Sequence, residues 1–462
     1  MRLRRKLHGL TGVATPIAEL RARIAAQRTD NPAMYGAVDF SVQPERLLLD
    51  GDIAGSELRG HPKVAAKLLE NRELMERIGA YTMMGDALAD PYAALMPEHG
   101  FKRLVDMLVE ACDKGVEAVE GAPAELVTFI RSMEATPAWV DMQMVEEGAR
   151  LQRVSFANVA PWAIRGAFIA TFMNKYAALP MALTGTLSNK TAARRIKETA
   201  TFFGTSLLPG ALARFGAGFK AAAMVRLMHS MVRFNVLSNS QGNRMRWDQR
   251  IYGIPIPQVD QMPAGLISDF LISSKVLKDG REDFTPEERA QIELSRYRCF
   301  LLGLPEDLLA QTPRGIVDAW NARALSLRAG FDEATCGGLL RATMEADLVD
   351  ATTPQGKVRD RLERSFAKVY FMQNFCDGSE KAAARFGVKI RAIDKLRAAA
   401  VGVGLMGQMR FYGVAAKTPV VRHFADQRLV GKVRGYLGSL GHAEFTTDAA
   451  KYKPAAAIKP AA

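Results

Sequence analysis

The chain has 462 residues, 48% hydrophobic and 24% charged, with a formal net charge of +13 and a pI near 9.6. That composition excludes a disordered or collagen-like chain and gives enough apolar surface for one large domain or two to three small ones. The charge alone suits nucleic acid, an anionic membrane or an acidic ligand. The basic residues are scattered, however, and runs such as Arg2-Leu3-Arg4-Arg5-Lys6 and Arg244-Met245-Arg246 lack the interleaved aromatics of a nucleic-acid reader.

Residues 1–60 carry turn punctuation at Asn31-Pro32, Gly51-Asp52 and Gly60-His61-Pro62, and are expected to wrap around the core as an extension. The first apolar run, Leu7 to Pro16, soon meets Glu19, Arg21 and Arg23, a poor match to a signal peptide. Apolar residues at helical spacing then predict helices over Val64–Arg77, Phe101–Val119, Val145–Ala157, Thr191–Phe203, Ala221–Leu237, Pro286–Leu302 and Val358–Phe375. Alternating Val/Ile/Thr runs are few, and no Asn-Gly or Asp-Gly pair joins two such runs as a hairpin turn would. An all-α fold is therefore expected, with one large helical domain over 61–420.

The most apolar stretch, Ser155 to Leu187, is broken by Arg165, Asn174 and Lys175 and falls short of the roughly 20 apolar residues of a membrane span. A cytoplasmic protein is expected, and a peripheral membrane contact stays compatible because interfacial helices need no span. The four cysteines (Cys112, Cys299, Cys336, Cys376) have no C-x-x-C spacing, which argues against a zinc site or a disulfide framework. Gly402 to Gly407 spells G-x-G-x-x-G with Asp426 beyond it. A helix-like run precedes it and Pro419 breaks the segment between it and Asp426, so close helix packing on small residues is expected in place of a dinucleotide site. Thr446 to Ala462 has no periodic apolar face and is expected to be a disordered tail.

One histidine is set in an apolar helix, Met224-Val225-Arg226-Leu227-Met228-His229-Ser230-Met231-Val232-Arg233-Phe234. Val225, Arg226, Val232 and Arg233 lie three or four residues from His229 and share its face. A lone core histidine is usually only hydrogen-bonded. An imidazole between apolar and guanidinium groups also suits a heme, with His229 on the iron and Arg226 and Arg233 on the propionates. The residues alone leave both readings open.

Further motifs narrow the choice. In order along the chain these are Pro137-Ala138-Trp139-Val140-Asp141, Gly148, Thr184-Gly185, Arg194-Arg195-Ile196-Lys197-Glu198-Thr199, Pro209-Gly210-Ala211-Leu212 and Gly216-Ala217-Gly218. After the histidine helix come Trp247-Asp248, Gly253-Ile254-Pro255-Ile256, Gln258-Val259-Asp260, Phe270 and Leu302-Gly303-Leu304-Pro305-Glu306-Asp307-Leu308-Leu309. Together they resemble the rubber oxygenase (latex clearing protein) and mpaB family, best between Pro137 and Leu309.

The resemblance implies an all-α fold around a non-covalent heme b, with the proximal histidine at His229 and the distal arginine and threonine at Arg195 and Thr199. Two departures stand out. The family's distal lysine falls on Glu198, which is expected to take over as proton acceptor, and the family's separate distal glutamate has no evident counterpart. The bland alternative is a solvated Arg194–Glu198 surface pair with Thr199 capping or packing. Exported rubber oxygenases carry a signal that this sequence does not show, which argues against polymeric rubber as substrate.

The implied function is a dioxygen-dependent oxygenase that cleaves a C=C bond in a hydrophobic isoprenoid- or lipid-like small molecule, with no nucleic-acid partner. Two other classes stay open at this point, a non-catalytic heme sensor or carrier and a helical lipid-binding protein without heme.

Overall fold

The computed structural model describes residues 15–183, 189–240, 247–416 and 418–441. Among these the architecture is helical with no strand, and β pairing is limited to isolated bridges from Leu47 to Leu327 and from Ser56 to Arg328. Arg2 to Lys6, Thr184-Gly185, Arg244 to Arg246 and the tail from Thr446 lie outside the described residues. The chain divides into two compact units, the first built from Met1–Gly148 and Leu212–Ala329, the second from Ala149–Ala211 and the stretch beginning at Gly330.

In the first unit the segment predicted as one helix over Val64–Arg77 is two, Pro62–Glu70 and Arg72–Tyr81. Asn71 makes the break: its side chain accepts from the Leu74 amide and caps the second helix, a role asparagine fills better than a helix interior. The helix Met96–Lys114 buries Leu104, Val105, Leu108, Ala111 and Cys112 along one face and ends at Gly115, whose φ of 96° no L side chain adopts readily. Helix Pro286–Leu301 opens on a capping box in which Thr285 and Glu288 satisfy each other's amides. The expected bounds of the His229 helix widen to Ala217–Ser240.

Helix Gln258–Lys278 buries Asp269, whose Oδ1 accepts from Ser268 Oγ at 3.3 Å while Oδ2 has no hydrogen-bond partner. Burial pushes its carboxyl up to about 7. The folded state therefore holds a proton that the unfolded chain releases near pH 4, and stability falls as pH rises from about 4 to about 7, by up to roughly 1.4 kcal/mol per pH unit. Asp269→Asn removes this dependence. Its melting temperature is expected to exceed wild type most at pH 8 and least at pH 5; an equal difference at both pH values would contradict the assignment.

The second unit has its core around Phe168, Ile169, Leu339 and Phe371, contributed by helices Met142–Ala170, Gly338–Glu345 and Pro354–Phe375. Arg165, which interrupts the apolar stretch in sequence, is fully buried and paired with Glu363 at 2.9 Å, and it also donates to the carbonyls of Thr343 and Met344. The G-x-G-x-x-G run lies inside helix Ala392–Ala415, with no strand before it. A Cβ at Gly402, Gly404 or Gly407 would meet nothing within 4 Å, so the expectation of close packing on these glycines is overturned. No helix among the described residues is long and apolar enough to cross a membrane.

Candidate functional site

His229 is half-buried, and its helix presents two different flanks beside it. At 100° per residue Val225 and Val232 fall on one side of the imidazole, and Arg226 and Arg233 on the other. The valines are half-buried, whereas both arginines are buried.

The arginines have carboxylate partners in place of the expected propionates. Arg226 Nε and Nη2 grip Asp86 in a bidentate pair, the second bond at 2.8 Å, and its guanidinium lies 5.2 Å from the Phe129 ring centroid. Arg233, 0% exposed, pairs with Asp90 and donates to the carbonyls of Pro255 at 3.0 Å and Ile256 at 2.6 Å. Tyr35 donates to the other Asp90 oxygen at 2.5 Å, and that same oxygen accepts from the Asp86 amide at 2.8 Å. Burial pushes the Asp86 carboxyl up, but the Arg226 guanidinium outweighs it and holds the group below its usual range. Two buried cations thus meet two buried anions beneath the histidine, a balance that a low-dielectric interior demands.

The motifs that carry the resemblance build this support. Gly303 has φ 85°, and a Cβ on it would come within 2.5 Å of Arg226 Nε and 2.6 Å of Asp86 Oδ2, so only glycine leaves room for the pair. Gly253-Ile254-Pro255-Ile256 presents the two carbonyls to Arg233, and Trp247 Nε1 fixes that loop by donating to the Gly253 carbonyl at 2.7 Å. Gln258 donates to the Met84 and Gly85 carbonyls, next to Asp86, while Asp260 binds Arg46 and Arg323. Trp139 Nε1 donates to Glu306 at 3.0 Å, joining two motifs far apart in sequence.

Asp86, Asp90 and Tyr35 escape the sequence reading. Their signal is present all the same: two arginines in an apolar helix require buried anions, and Met83-Met84-Gly85-Asp86-Ala87-Leu88-Ala89-Asp90 puts two carboxylates four residues apart in an apolar run.

In the second unit, helix Asn189–Thr205 carries the other three candidates. Glu198 is 3% exposed, so the solvated surface pair is overturned. Its Oε1 accepts from Arg194 Nε at 2.8 Å and its Oε2 from Arg195 Nη1 at 3.0 Å. Arg195 and Thr199 are half-buried and one helical turn apart.

Residues 156–336 match the family described as ER-bound oxygenase mpaB/B'/Rubber oxygenase, catalytic domain. That stretch belongs to the mpaB/rubber oxygenase family. The family is one of oxygenases, hence oxidoreductases, and its matched stretch contains all six candidates, Arg195, Glu198, Thr199, Arg226, His229 and Arg233. It starts after the Trp139 motif and runs past Leu309, so its bounds are shifted from the Pro137 to Leu309 expected from the sequence. A solved structure titled "Structure of Latex Clearing Protein LCP in the closed state" is similar at TM-score 0.52 and 17% identity, over 77% of this chain and 91% of that one, a likeness in fold. No curated protein matches the chain.

Proposed function

We propose that this protein is a heme b-dependent oxygenase with His229 as the iron ligand, acting on a hydrophobic unsaturated substrate of isoprenoid or lipid type. The observation that carries the reading is a half-buried imidazole, inside the oxygenase-family stretch, on a helix fixed by two buried arginine–aspartate pairs. The residues fit such a group. No cluster of three metal-ligating side chains occurs among the described residues, and a porphyrin iron needs only one protein nitrogen, which His229 can give. When bound, the heme supplies dioxygen binding and activation, the chemistry that side chains lack.

The chain's own residues bind, orient and shield. Val225 and Val232 give the imidazole an apolar flank. Arg226 and Arg233 act as positioning residues, locking the helix register so that His229 presents one ring orientation. By the family resemblance Arg195 and Thr199, one turn apart on helix Asn189–Thr205, take the role of distal hydrogen-bond donors. Glu198, with an arginine on each carboxylate oxygen, positions Arg195 and is not the proton acceptor. In the overall reaction one C=C bond is replaced by two C=O bonds, with one atom of dioxygen in each product.

Oxygen uptake by the heme-loaded protein with an unsaturated isoprenoid, with carbonyl products identified by mass, tests the activity. Glu198→Gln is expected to lower uptake about tenfold at unchanged heme content, and to add no further loss once Arg195→Ala is present, because coupled residues lose their contribution together. Losses that multiply in the double variant would make Glu198 an independent proton acceptor.

A further inference from the structure

Two consecutive helices of the second unit, Ala392–Ala415 and Pro419–Ser439, are anchored by Leu405, Tyr412, Leu429 and Val433 on their buried sides. On the first helix Ala398, Leu405 and Tyr412 recur every seven residues and define the inward face. The opposite face is apolar too. Leu396, Val403, Phe411 and Val414 fall within about 80° of one another at 100° per residue, and each is 62–68% exposed. Val420 and Phe424, in the second helix, are 77% and 67% exposed. A helix that is apolar on both faces requires a partner on each. Gly404 and Gly407, exposed on this side, have open space where a Cβ would stand, so the outer surface is unfilled there.

Charge indicates what covers it. Residues 381–434 contain 12 Lys or Arg and only two Asp or Glu, a net +10 out of +13 for the whole chain. The two acids offset little of this charge, because Asp394 is buried and pairs with Arg391 alone among the exposed arginines, and Asp426 is bound by Arg153. Arg410, Arg422, Arg428 and Arg434, on the same two helices as the apolar stripe, are exposed. A second copy of this chain would bring two such fields of the same sign together, whereas an anionic lipid surface neutralises one.

We propose that this helix pair docks the protein peripherally on anionic membranes, Phe411, Val414, Val420 and Phe424 entering the interfacial layer while the arginines meet lipid headgroups. The proposal is independent of the oxygenase reading. Co-sedimentation of the full-length protein with phosphatidylcholine vesicles containing about one-third phosphatidylserine tests it. Binding is expected to the anionic vesicles and not to phosphatidylcholine alone, and to weaken about tenfold or more between 0.1 and 1 M salt as the Debye length shrinks. The exposed-site variant Phe411→Ser/Val414→Ser/Phe424→Ser, and separately Arg410→Glu/Arg422→Glu, are expected to lose binding with unchanged circular dichroism. Absence of binding to anionic vesicles, or binding that survives both variants, would overturn it. So would a dimer in light scattering that the serine variant dissolves while wild type ignores vesicles.

Discussion

Asp90→Ala is expected to destabilise the first unit by about 3–5 kcal/mol, the typical cost of leaving one member of a buried ion pair behind. Arg233 is 0% exposed and its guanidinium is divided between Asp90 and the Pro255 and Ile256 carbonyls, so no water can take over when the carboxylate is removed. The Tyr35 hydroxyl loses its acceptor in the same step. Urea unfolding measures the loss, with Asp248→Ala as control. That carboxylate pairs with Arg250, whose side chain is 75% exposed, and is expected to cost under about 1 kcal/mol. Joint replacement by apolar groups, Asp90→Leu/Arg233→Met, is expected to recover part of the loss, because desolvation of both charges is relieved together. Equal losses for Asp90→Ala and Asp248→Ala would show that the buried pair does not hold the helix.

Arg165→Ala is expected to cost the second unit a similar amount, about 3–5 kcal/mol, since it strands Glu363 in the core. Both side chains are essentially inaccessible, at 0% and 1% exposure, and Arg165 also satisfies two backbone carbonyls at the end of helix Gly338–Glu345. Burial already pushes the Glu363 carboxyl up against the pull of Arg165. Removing the arginine takes away the main charge that holds Glu363 ionised and favours its protonation, so the variant is expected to be least impaired at low pH. Denaturation at pH 5 and pH 8 checks this; a deficit that does not grow with pH would contradict it.

The helical class was legible because apolar residues repeat at helical spacing over long stretches, as in Pro286–Leu301, whose start matches the expected residue. The His229 helix was legible for the same reason. The roles of its arginines were not, because i,i+3 and i,i+4 spacing fixes a shared face and says nothing of partners more than a hundred residues away, here Asp86 and Asp90. Glu198 was placed beside Arg194 and Arg195 correctly, but its burial depends on tertiary packing that local charge pattern does not carry. The glycines of 402–407 misled for a related reason: small residues permit close packing without requiring it.

The claim that His229 holds a heme is tested most directly by the absorption spectrum of the purified protein titrated with hemin, wild type against His229→Ala. His61 and His423 are exposed and His99 sits beside Glu98 at a helix start, so none of them offers a comparable apolar seat. Wild type is expected to saturate at about one heme per chain with a Soret band characteristic of histidine ligation, and His229→Ala to lose that band while keeping its helical circular dichroism. A wild-type protein that develops no such band, or an alanine variant whose spectrum is unchanged, would contradict the assignment.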